Sequence, residues 1–151
     1  MLSGMARSGA DMIWLRTVLA VWMRSTSASR LSDPAAQLAM AEVHDCFTPT
    51  ELVLMEDLGF AERGTAWKEV LAGTFDRDGE LPVNPDGGLK SFGHPVGASG
   101  LRMLYEAWLQ FRGLAGERQL PDPHTALTHN LGGRPGGCVS FVSVVGRRLG
   151  S

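Results

Sequence analysis

Most of the 19 glycines in this 151-residue chain fall after residue 86, and they collect in two groups, 87–100 and 132–137. Glycine is the residue that reaches left-handed backbone conformations without penalty and lets main-chain N–H groups come close to a ligand. The loops there should be tight, and functional or at least geometrically demanding. The remaining composition suits a folded domain: 44% hydrophobic, 20% charged, net charge -2. It excludes disordered, collagenous and strongly nucleic-acid-binding classes. The length fits one ordinary domain, able to bury roughly 70% of its unfolded surface.

Two cysteines, Cys46 and Cys138, are too few for a disulfide framework. Free thiols and a cytoplasmic location are expected. No ligand-pair spacing among cysteines and histidines supports zinc, and the glycine-rich loop matches no phosphate-binding fingerprint, so neither a metal nor a bound cofactor is expected. Met12 to Met23, MIWLRTVLAVWM, imitates a secretory signal. Arg16 interrupts it and it is too short to span a membrane. It is read as a packed amphipathic helix or a poorly ordered extension.

Ser25 to Pro34 is polar and helix-unfriendly, and marks a boundary between an N-terminal extension, 1–33, and a main domain, 34–149. Ser32 or Asp33 followed by Pro34 also resembles a helix start. Leu38 to Val43 reads as a short strand. Thr48-Pro49-Thr50-Glu51 opens a helix that Gly59 ends, and a short helix is expected around Trp67 to Leu71. The rest of 62–93 reads as loop or hairpin, with Asp76-Arg77-Asp78-Gly79 an ordinary turn that lacks calcium-loop spacing. Pro95 opens a second helix whose apolar residues, Leu101, Leu104, Tyr105, Trp108 and Phe111 among them, recur at three- and four-residue steps as a packing stripe. Strands follow at Thr125 to Thr128 and Cys138 to Val145. The order strand, helix, loop, helix, strand, strand predicts an α/β fold, a mixed sheet with packed helices.

Three short segments hold most of the reactive side chains: His44-Asp45-Cys46-Phe47, Gly93-His94-Pro95 and His129-Asn130-Leu131-Gly132. Each lies at a strand end or just before a helix, where α/β sheets form their ligand crevice. The chemistry is that of acids, bases and oxyanions. A thiolate stabilised by a nearby imidazolium or helix start serves as base or nucleophile, and two histidine N–H groups can hold one enolate oxygen.

Asn84 to Gly100, NPDGGLKSFGHPVGASG, resembles the histidine loop of the thiolase superfamily. Glu42 to Leu52, EVHDCFTPTEL, and His129 to Gly137, HNLGGRPGG, resemble its other two carboxyl-terminal active-site loops, in family order. The spelling HDCF and HNLGG is closest to the sterol carrier protein x-type and related acyl-CoA thiolase-like branch. The resemblance covers residues 34–149 and implies a thiolase-like C-terminal domain, incomplete relative to the family.

On that resemblance, His94 matches the histidine that binds the thioester oxygen and supports the nucleophile, and His44 matches a second oxyanion donor. Cys46 matches the branch's acid–base cysteine at the substrate α-carbon. Gly132 would give a backbone N–H to a second oxyanion hole. Asn130 stands where ordinary thiolases carry the acid–base cysteine, a departure that fits Cys46 in that role. Cys138 matches no catalytic position and reads as structural. The acyl-carrying cysteine of the family's first half matches neither cysteine here. The resemblance therefore implies part of an acyl-CoA C-acyltransferase acting on a coenzyme A thioester, in 3-oxoacyl-CoA thiolysis or Claisen condensation. It would need a nucleophile-bearing thiolase N-terminal half from another chain, in an oligomer. The alternatives are a non-catalytic module binding acyl-CoA or a partner, and a retro-aldolase subunit acting with an OB-fold partner. Half of a two-half fold is also expected to expose an apolar interface.

Overall fold

The hydrogen-bonded centre of the structure is a three-stranded sheet ordered β1-β2-β3. The computed structural model describes residues 34–134 and 137–147. The expectations for the N-terminal extension, including the 12–23 segment, lie outside the described residues. The chain runs α1 (Pro34–Gln37), β1 (Met40–Glu42), α2 (Thr48–Asp57), α3 (Ala66–Ala72), α4 (Gly88–Phe92), α5 (Ser99–Arg112), a 3-10 turn (Gly116–Arg118), β2 (Thr125–Gly132) and β3 (Val139–Gly146). β1 pairs parallel with β2 through Met40↔Ala126 to Glu42↔Thr128, and β2 pairs antiparallel with β3 from Thr125↔Gly146 to Gly132↔Val139. The sheet is therefore mixed, as expected for a partial thiolase-like α/β domain.

α2 begins where the sequence places it, with Pro49 in the first turn, and Gly59 just beyond it has a left-handed φ of 79°. It packs Leu54, Met55 and Leu58 against Ala41, Val43 and Leu127 of the sheet, with Phe60, Phe75 and Leu81 closing the cluster. A smaller cluster, Met40, Ala107, Leu120 and Ala126, lies under α5. No helix among the described residues is long and apolar enough to cross a membrane.

Several boundaries differ from expectation. β1 is three residues long because α1 occupies the chain up to Gln37. The 62–93 region forms no hairpin: its strand-like contact is a single bridge, Ala41↔Val83, on the edge of β1. α5 starts at Ser99 rather than Pro95, since Pro95 to Ala98 form a turn closed by Ala98 N–H to Pro95 O at 2.8 Å. β2 continues past Thr128 to Gly132, so His129 and Asn130 are strand residues. Most of the stripe on α5 stays outside the described core, although Phe111 packs against the smaller cluster. Leu101, Tyr105 and Trp108 are 69%, 58% and 47% exposed, whereas Ser99, Glu106 and Gln110 are buried. That inverted burial has a local cause. Gln110 accepts Leu120 N–H at 2.8 Å and donates to Arg118 O at 2.8 Å, while Glu106 pairs with Arg118 at 2.9 Å. Glu106 and Gln110 thus stitch down the return loop, Met103 and Ala107 are buried as well, and Leu101, Tyr105 and Trp108 look outward.

Candidate active site

The loop after β1 carries His44, Asp45 and Cys46, and its position is fixed by Asp45. The buried Asp45 carboxylate accepts Leu89 N–H at 2.7 Å and Lys90 N–H at 3.3 Å, the free donors at the start of α4. A side-chain cap of this kind contributes about 0.5–2 kcal/mol. Gly88 has φ 62°, and any Cβ there would collide with the Asp45 carboxylate. The two loops therefore meet only if residue 88 is glycine. Asn84 fastens the same corner: its Oδ1 accepts Val43 N–H at 2.8 Å and its Nδ2 donates to Glu51 Oε1 at 3.0 Å.

α4 then delivers His94. Its ring meets His44 edge-on, with centroids 4.8 Å apart at 87°. His94 Nδ1 lies 2.7 Å from Ser99 Oγ on the first turn of α5. Behind them Arg102 of α5 bridges to Asp86 and, at 3.4 Å, to Glu42 of β1, and its guanidinium stands 5.0 Å from the centre of the Phe92 ring. This buried seam holds the histidine loop against the sheet. Glu42 is wholly buried and its carboxyl is pushed up to about 8, chiefly by loss of water and against the pull of Arg102.

β2 brings the third segment alongside. Asn130 lies against Gly100, where an added Cβ would sit 3.2 Å from Asn130 Nδ2, so the absent side chain at residue 100 lets Asn130 lie against α5. His44, Cys46, His94, Asn130 and Gly132 all line one cavity of about 660 Å³. Every candidate site residue from the sequence is therefore brought to a single opening. Cys138 lies one residue before β3 rather than inside it, and it lines the same cavity, with Sγ donating to Arg134 O at 3.3 Å. Val96, Val139 and Phe141 form its apolar wall, each more than half exposed. The cavity opens towards the apolar side of α5 through a second groove that shares Val96, Asn130 and Phe141.

Burial governs the histidines. His44 is held below the usual imidazole range by burial first and by His94 second, against the opposing pull of Asp45. His129 is pushed down to about 3 by burial, with His44 adding to the effect, so it is neutral around pH 7. His129 Nε2 pairs with Ser140 Oγ at 2.9 Å. Nδ1 of His44 and Nδ1 of His129 are buried with no hydrogen-bond partner among the described residues. The sequence reading assigned no role to Asp45, Ser99 or Arg102. Their partners lie 44, 5 and 60 positions away, and spacing gives no signal for the distant pairs.

Strand ends and helix starts of this sheet thus gather two histidines and a cysteine around one cleft. A family model described as "thiolase C-terminal domain-like" matches residues 20–145, and this chain belongs to that family. It is 45% identical over 97 residues to an acetyl-CoA acetyltransferase of Methanothermobacter thermautotrophicus, covering 64% of this chain and 25% of the relative. It is 46% identical over 91 residues to sterol carrier protein 2 of Homo sapiens, covering 60% of this chain and 17% of that protein. Among solved structures it resembles an "Ltp2-ChsH2(DUF35) aldolase", with TM-score 0.66 and 26% identity over 89% of this chain and 32% of that one. The chain spans about a quarter or less of the length of the curated relatives named here.

Proposed function

We propose that this chain is the C-terminal part of a thiolase-like acyl-CoA C-acyltransferase whose acyl-carrying cysteine lies outside these 151 residues. The observation that carries the reading is the convergence of His44, Cys46, His94, Asn130 and Gly132 on one cavity. In the thiolytic direction, an external cysteine thiolate attacks the 3-oxo carbon of a 3-oxoacyl-CoA, and the bond between that carbon and the α-carbon breaks. The electron pair passes to the departing enolate. His44 and His94 N–H groups hold the enolate oxygen, and the Cys46 thiol gives its proton to the α-carbon. Coenzyme A thiol then takes the acyl group from the external cysteine, and its proton returns to Cys46. The outward apolar face of α5, continuous with the cavity, is the surface the nucleophile-bearing half would cover.

The test is deuterium exchange at the α-carbon of acetyl-CoA by the assembled protein. Cys46→Ala is expected to lower exchange by about 10²–10⁴-fold while acylation of the external cysteine persists. Undiminished exchange in Cys46→Ala overturns the assignment. A second reading, a retro-aldol lyase subunit acting with an OB-fold partner, is favoured by the likeness to a solved aldolase. It needs the acid–base groups but no acyl-cysteine, so lyase activity on a β-hydroxyacyl-CoA without any added cysteine half would select it.

A further inference from the structure

We infer that Arg102 is a positioning residue that sets the separation of His44 and His94, by holding with one guanidinium the chain segment in front of each. Arg102 lies at the end of the first turn of α5, with its side chain 16% exposed. Its Nη2 donates to Glu42 Oε2 at 3.4 Å, and Glu42 closes β1 two residues before His44. Its Nη1 pairs with the Asp86 carboxylate, whose Oδ1 accepts Gly88 N–H at 2.7 Å at the start of α4. Its guanidinium carbon stands 5.0 Å from the centre of the Phe92 ring, and Phe92 ends α4 two residues before His94. The strand that delivers one histidine and both ends of the helix that delivers the other therefore meet on a single side chain.

Asp45 and Ser99 fix less. Asp45 joins the His44 loop to the first turn of α4 through Leu89 and Lys90 N–H, and Ser99 meets the His94 ring from α5. Neither links the sheet to the end of α4, where the chain turns through Gly93, at φ 74°, into His94. Arg102 does. The task suits arginine, whose planar fork offers N–H groups to two carboxyls while its face lies on an aromatic ring; a lysine ammonium is a single point charge. Asp86 supplies the buried counter-charge. Glu42, its carboxyl pushed up to about 8, still accepts through a carboxyl oxygen when neutral, so the arrangement holds on either side of that pH. A working site tolerates displacements of only about 0.5 Å, and the 4.8 Å between the two ring centroids is the spacing that the guanidinium sets. What that spacing does in turnover rests on the thiolase-like reading. The spacing itself does not, so the two fail separately.

Nuclear Overhauser contacts between the His44 and His94 ring protons, measured in the full 151-residue chain, test it without substrate or partner. In Arg102→Lys the contact is expected to weaken by about twofold or more, the loss that a displacement of about 0.5 Å produces. Arg118→Lys, which loosens the other ion pair of α5, the one with Glu106, should leave the contact unchanged. Phe92→Leu, at a position 55% exposed, should weaken it on its own and add nothing further in the Arg102→Lys background. Backbone spectra show that each variant is folded. An unchanged contact in folded Arg102→Lys overturns the proposal, as does an equal loss in Arg118→Lys or an additive loss in the double variant. If Arg102→Lys does not fold, an unchanged contact in Phe92→Leu overturns it.

Discussion

α2 and α5 both carry large apolar residues, yet they place most of them differently. α2 turns Val53, Leu54 and Met55 into the described core, and the sheet and the 60–81 loop cover them. α5 turns Leu101, Tyr105 and Trp108 outward and buries the polar Ser99, Glu106 and Gln110 beside the apolar pair Met103 and Ala107. The first is a helix stabilised by its own chain. The second is held by buried Met103 and Ala107 together with hydrogen bonds and a buried ion-pair seam, and it leaves a row of large apolar side chains exposed. α2 is covered by the described chain, and the outer row of α5 is not.

Four substitutions break or sharpen that contrast. Leu54→Ala, at a fully buried position, should cost about 2–5 kcal/mol in urea unfolding. A cost under 1 kcal/mol would show that the α2 side is not the stabilising core. Next is the seam between the two sides. The folded-state pKa of Glu42 is raised from 4.5 to about 8, so its contribution to stability is full below pH 4.5 and is lost as pH rises through 8. Glu42→Gln should therefore gain stability over wild type across that window, on the order of a few kcal/mol by pH 8. Parallel stability–pH curves would contradict the buried seam.

Gly88→Ala should cost about 1–3 kcal/mol by forcing α4 off Asp45, and it should also displace His94 from His44. Calorimetry together with ring-proton contacts between the two histidines would check it. The smallest effect belongs to the α5 face: Leu101→Ser should change the stability of this chain by no more than about 0.5 kcal/mol, yet weaken association with the nucleophile-bearing half. A large loss of stability in the isolated chain would mean that this face is already covered by its own residues.

The contrast also explains what could be read from the sequence. α2, α3 and β3 were legible to within a residue or two because caps, glycine stops and β-branched runs are local signals. α4 read as loop, since it opens on Gly87 and Gly88 and is held by Asp45, which is remote in sequence. The stripe on α5 reads as a packing surface, but periodicity does not say what packs on it, and here the described core takes Phe111 and leaves Leu101, Tyr105 and Trp108 exposed. The site residues were found through loop motifs, and the structure gathers them all. The supports were invisible because Asp45, Ser99 and Arg102 act through partners that only the fold brings near.

The central claim is that this chain completes a two-part active site. The most direct measurement is release or consumption of coenzyme A when the chain is titrated into a thiolase polypeptide bearing the nucleophilic cysteine but lacking this domain, with a 3-oxoacyl-CoA as substrate. The account predicts saturable turnover that depends on this chain and falls about 10²-fold or more with Cys46→Ala. No turnover in any combination, under conditions where an intact relative is active, would contradict it.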